Sequence, residues 1–127
     1  MSTVKTDNLL NVAGTKTATT DDLIDGRCTA WVTFNGTTPT ITGSMNVLSV
    51  TDLGVGSFRI NFTNPMANTS YVAVCQAEEV TGGGATAMST HMTTIDKFTT
   101  SIRIINYGWT GGYYDSKTYS VAIFGGV

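Results

Sequence analysis

Phe58, Ile60 and Phe62 alternate with Arg59 and Asn61. A period of two places one set of side chains on each face of a strand. From residue 28 onward the same pattern returns in short runs, each closed by turn residues. Cys28, Ala30, Val32 and Phe34 share one face ahead of Asn35-Gly36-Thr37, and Pro39 ends the loop that follows. Met45 and Val47, with Leu48 and Val50 opposite, form a second run. Leu53-Gly54-Val55-Gly56 is a turn, and Asn64-Pro65 breaks the Phe58 strand. Tyr71 to Cys75, a weaker Ala87 to Met92, Ser101 to Tyr107 with Ile102, Ile104 and Ile105, and Tyr119-Val121-Ile123 complete the series. That makes about seven strands at near-regular spacing. No helical period outlasts a turn after residue 28, so the crossover helices of a parallel sheet are missing. The expected fold is all-β: an antiparallel β-sandwich, jelly-roll-like, over residues 27–127.

Residues 1–26 read differently. They are polar and turn-rich, and their apolar content is Val4, Leu9-Leu10 with Val12, and Leu23-Ile24. This is too little to bury a core. An extended N-terminal arm is expected, gaining order by docking on a neighbour. Val4, Leu9, Leu10, Val12, Leu23 and Ile24 are its candidate attachment residues. Thr20 can cap a short helical turn through Asp25, with its acids at the favourable end, and Gly26 can stop it.

The 127 residues fit one domain with a real core. Charged residues make up 13% of the chain, against a usual value of roughly 25%. Thr, Ser, Asn and Gly fill the polar positions instead. Such a surface suits pleated strands, and it also suits faces covered by identical subunits, because interface cores are depleted in charge. Self-association is therefore expected. With a net charge of −2 and no basic run, phosphate neutralisation is not available, so no nucleic-acid partner is expected. No apolar stretch approaches the roughly 18–20 residues of a membrane span, so no membrane insertion is expected. Met1 to Asp7 has no apolar h-region, which points to synthesis in the cytoplasm of the producing cell.

Catalytic and metal chemistry finds little support. His91 stands alone, so a zinc cluster is excluded and a Ser-His-Asp triad would need partners that spacing does not place. It reads as a strand histidine facing solvent or a subunit seam. Asp21, Asp22 and Asp25 lack the ligand pattern of a calcium loop and read as a solvated helix start. Cys28 and Cys75 lie in apolar strand patterns without metal spacing and read as buried free thiols, a disulfide being the alternative. Gly82-Gly83-Gly84 lacks the Lys-Ser/Thr of a phosphate loop. The sequons at Asn35, Asn61 and Asn68 read as turn chemistry. No enzyme activity and no cofactor are expected. One constellation does suggest binding. Tyr107, Trp109, Tyr113 and Tyr114, followed by Asp115, sit in one Gly-rich connection. Rings on such a loop can stack on sugars or anchor a protein contact; alternatively they cover the end of the core or pack at a trimer axis.

Two segments resemble a known class of protein. Ala30-Trp31-Val32-Thr33-Phe34-Asn35-Gly36-Thr37 is similar to the AWVNFNGT-like strand of small phage and prophage tail-fibre or virion surface proteins, especially those of aquatic bacteria. Asn46-Val47-Leu48-Ser49-Val50-Thr51-Asp52, continuing through Gly54, Gly56, Phe58 and Ile60-Asn61-Phe62-Thr63-Asn64, resembles that class's NVSSITDxGxGxYxVNFTxxM pattern, with Met66 and Tyr71 in place. Tyr119 to Gly125 resembles its closing strand. Val4-Lys5-Thr6-Asp7 and Asn11 to Thr15 resemble its leader. Thr33 and Leu53 depart from the pattern, and residues 77–118 match nothing in it. The resemblance implies a non-enzymatic component of a tailed-bacteriophage virion, a homotrimer touching other virion proteins. A tail fibre or receptor-binding protein, attached through the arm and reaching a host surface glycan, is the first expectation. A capsid decoration protein and a free carbohydrate-binding module are the alternatives.

Overall fold

The computed structural model describes residues 8–10, 13–14, 17–78, 91–107 and 111–127. The chain opens with β1 (Asn8–Leu10), β2 (Thr17–Thr19) and a six-residue helix α1 (Thr20–Asp25). The body follows as β3 (Cys28–Asn35), β4 (Thr40–Met45), β5 (Val47–Asp52), β6 (Ser57–Phe62), β7 (Tyr71–Ala77), β8 (His91–Ile95), β9 (Ser101–Tyr107) and β10 (Tyr119–Gly125). Two four-stranded antiparallel sheets form the sandwich, in the orders β4-β3-β10-β7 and β5-β6-β9-β8.

Alternation builds the core as the sequence requires. Ala30, Val32 and Phe34 of β3, with Tyr119, Val121 and Ile123 of β10, face inward from one sheet. Phe58, Ile60 and Phe62 of β6, with Ile102 and Ile104 of β9, face them from the other. Phe34, Phe58 and Tyr119 meet with centroids 5.1–5.2 Å apart. Phe62 and Tyr71 close the opposite end, 6.0 Å apart.

Eight described strands make this body, not seven. The run expected around Met45 to Val50 is two strands, and they belong to opposite sheets. Between them Asn46 holds a left-handed φ of 55°, a conformation Asn tolerates better than most residues. Its side chain fixes the corner. Nδ2 donates to Thr29 O and Asn64 O at 3.2 Å each, and Oδ1 accepts from Asn64 N–H at 2.8 Å. The weak strand expected over Ala87 to Met92 is β8, which begins at His91 among the described residues and runs on to Ile95; residues 87–90 lie outside them.

The arm is not simply extended. β1 and β2 pair with each other as a separate two-stranded ribbon, Leu9 opposite Ala18. The helical turn expected from Thr20 to Asp25 is α1.

Candidate binding surfaces

Three places hold the residues that sequence singled out, or should have. The first is the aromatic loop. Tyr107 and Tyr113 form an isolated bridge, and their exposed rings meet edge to face at 5.3 Å and 77°. Trp109 lies outside the described residues. The Tyr114 carbonyl and the Asp115 carboxylate tie the loop to the body, with both side chains half-buried. Tyr114 O accepts from Asn106 Nδ2 (3.0 Å) and Tyr119 Oη (2.8 Å), and Asp115 Oδ1 accepts from Gly56 N–H at 2.7 Å. Asn106 Nδ2 also reaches Ser116 Oγ and Tyr119 Oη. Gly56 must be glycine here: its φ is +65°, and a Cβ would lie 2.6 Å from Asn106 O. The loop is therefore anchored on buried polar groups, and Tyr107 with Tyr113 is what it offers outward among its described rings.

The second place is the ribbon and α1. Leu9, Leu10, Leu23 and Ile24 are all exposed, Leu10 at 63%. Val4 and Val12 lie outside the described residues.

The third place was not expected to bind anything. On the outer face of β4-β3-β10-β7 one register row runs Met45, Trp31, Ala122, Val74 across all four strands. Beside it Phe124 stands opposite Val72. Val72 is 65% exposed, Val74 60% and Trp31 39%. Trp31 lies over Gly43, where an added Cβ would come within 3.2 Å of its ring. The ring and Val74 flank the small residues Ser120 and Ala122, leaving a shallow groove of about 280 Å³ that also touches Thr33 and Gln76. No charged residue occurs at these positions. The signal was present in the sequence. Trp31 has the outward parity of β3, and Tyr71 to Cys75 is apolar at every position, the mark of a strand covered on both faces.

Cys28 and Cys75 are free and half-buried. Cys28 Sγ donates to Ala30 O at 3.2 Å. Cys75 packs against the core, and burial pushes its thiol up to about 11. Among the described residues no group of three or more His, Cys, Asp or Glu gathers to hold a metal ion.

No family model, no curated protein and no solved structure matches this chain.

Proposed function

We propose that the chain is a non-enzymatic structural component of a tailed-phage virion, working through surfaces and not through a reaction site. The observation that supports it best is the uncharged apolar row Met45-Trp31-Ala122-Val74 on an open sheet face. Apolar patches on this scale mark contact with other proteins. The exposed leucines of the ribbon give a second such contact. The virion itself enters through the resemblance carried by Ala30–Thr37 and Asn46–Asn64. Within the particle the favoured position is a tail-fibre or receptor-binding surface protein, attached through the arm, with Tyr107 and Tyr113 exposed towards a host glycan. A capsid decoration role is the second reading, favoured by the separate ribbon, which suits clamping a neighbouring capsid subunit.

Quantitative mass spectrometry of purified particles separates these readings. A fibre gives a few copies per tail, and decoration gives tens to hundreds per capsid. A particle that lacks the protein while its producing cell contains it overturns both. Glycan-array binding by the isolated chain, lost on Tyr113→Ala, supports the receptor-binding position.

A further inference from the structure

We propose that the N-terminal ribbon of one copy adds to the edge of β7 in a second copy, setting whichever of Leu9 and Leu10 falls on the outward side beside Val72 and Val74, at the end of the row that runs to Trp31. The inference rests on the reading of the apolar row and the ribbon leucines as contact surfaces and names a second copy as what they meet.

Two unfinished elements point to it. The first is the edge. Exposed sheet edges are normally blunted by bulges, charges, prolines or shortness. β4 pairs through a register shift at Thr33/Phe34, and β5 through one at Val47/Ser49 that leaves Leu48 out. β8 has five residues. β7 has none of these devices. Its seven residues, Tyr71-Val72-Ala73-Val74-Cys75-Gln76-Ala77, run in unbroken register along β10 without charge, proline or bulge. Lys97 guards only the head of the strand, where Nζ donates to Tyr71 O at 2.7 Å. Among the described residues no strand pairs with the far side of β7.

The second is the ribbon. Two strands of three residues each are marginal in water, and the leucines on this ribbon are exposed. Within one chain β1 and β2 pair only with each other. Adding such a ribbon to an open edge completes its hydrogen bonding and covers its apolar side chains. Neither β7 nor the two ribbon strands carries a charge, so two copies meet without desolvating one. Area points the same way. The exposed parts of Trp31, Met45, Val72, Val74 and Phe124 come to roughly 400 Å², within the range of the largest apolar patch on an ordinary monomer, a patch that is often functional. That is about half of the roughly 800 Å² each partner contributes to a standard interface, and an added strand supplies the rest. Donor and acceptor are different parts of the chain, so the contact is heterologous and closes as a reciprocal pair or a small ring such as a trimer.

The test uses the full chain and two variants. Light scattering of the native chain at high micromolar concentration should give a mass at least twice 13.4 kDa. V74K places a lysine on the outward side of the edge, and the double variant L9S/L10S removes the ribbon's apolar contacts. Each alone should run as a monomer, with the melting curve of the native chain diluted until it too is monomeric. Mixed, they should recover a complex, because V74K keeps an intact ribbon and L9S/L10S keeps an intact edge. V72K serves if V74K fails to fold. A monomeric native chain overturns the proposal, as does an oligomer that survives both variants. Loss of association in V74K but not in L9S/L10S overturns it in favour of face-to-face packing without the ribbon. A native chain that is monomeric yet present in particles overturns the clasp and leaves the virion reading intact. A chain that clasps but is missing from particles does the reverse.

Discussion

The outer faces of the two sheets are built alike and carry opposite chemistry. Each comes from four antiparallel strands whose alternate residues point away from a shared core. On β5-β6-β9-β8 most of those residues are polar and tied to one another, Ile105 and Tyr107 of β9 being exceptions. Asn61 Nδ2 donates to Ser49 Oγ and Thr51 Oγ1 at 3.0 Å each, Arg103 Nε donates to Ser57 Oγ at 3.0 Å, and Asp96 stands 3.6 Å from Arg103. On β4-β3-β10-β7 the outward residues include Met45, Trp31, Ala122, Val74, Val72 and Phe124, and no charge is among them. A face that meets water satisfies its polar groups within itself. A face that meets a partner leaves apolar area for the partner to cover. The same fold thus gives one finished side and one unfinished side.

The corner that separates the two sides should give the largest effect. Asn46 hands the chain from β4 to β5 with a left-handed φ and three side-chain hydrogen bonds. Asn46→Ala loses all three bonds, each worth about 1 kcal/mol, and gives up the tolerance of Asn for left-handed backbone, at a cost of roughly 1 kcal/mol more. Chemical denaturation should show a loss of about 4 kcal/mol. Asn46→Gly keeps the backbone preference and should lose about 3 kcal/mol. Equal losses would mean that φ contributes nothing at this corner.

The same residue marks where sequence reading succeeded and where it stopped. Ala30, Val32, Phe34, Phe58, Ile60, Phe62, Ile102, Ile104, Tyr119, Val121 and Ile123 follow strict alternation, and all are buried. Period two is a local property, so the chain displays it openly. The corner is not local in that sense. Met45 and Val47 look like members of one strand, and only the hydrogen bonds of Asn46 to Thr29 and Asn64 send them to different sheets. The outer face was hidden for another reason. An outward Trp31 gains meaning only when Ala122 and Val74 are known to stand in its row, and register across three connections is not written in any one segment. The aromatic loop was legible only in part. Its rings stand out in the sequence, but the anchors that tie it down, Tyr114 O and the Asp115 carboxylate on Asn106, Tyr119 and Gly56, show only in the fold.

Trp31 tests the difference between the two faces directly. Trp31→Thr removes the largest ring from the apolar row. A buried aromatic anchor is worth about 2 kcal/mol or more at an interface, so self-association should weaken at least about 30-fold by sedimentation equilibrium. The unfolding midpoint should move little, since the ring covers only the outside of the sheet. Arg59→Thr on the opposite face should leave association unchanged. Equal effects of the two substitutions on association would erase the distinction between the faces.

Cys75 compares the two sides of a single strand. It lies on the inward side of β7, while Val72 and Val74 lie on the outward side. Burial lifts its folded pKa to about 11, above the 9.0 of a free thiol. The unfolded chain therefore releases this proton first as pH rises. The stabilisation is whole below pH 9 and falls between pH 9 and pH 11, by up to about 2 kcal/mol. Cys75→Ala should flatten the alkaline arm of the stability curve across that window. Burial raises the Tyr71 phenol as well, so the contrast is cleanest near pH 9 to 10. An identical alkaline slope in the variant would show that the inner side of β7 is as open to solvent as the outer.

The smallest effect belongs to the polar face. Arg59 and Arg103 stand directly opposite on β6 and β9, and like charges in that position repel. Arg103 has Ser57 and Asp96 for partners, but Arg59 Nε is buried with no hydrogen-bond partner among the described residues. Arg59→Thr removes the repulsion and the unpaired nitrogen and puts a β-branched residue beside Thr51. Stability should rise by roughly 0.5 kcal/mol at low salt. The gain should shrink in about 1 M salt, where screening acts within roughly 3 Å. A loss at low salt would mean that Arg59 supports the face through the packing of its stem, and that this side of the sandwich is finished by apolar contact as much as by polar pairing.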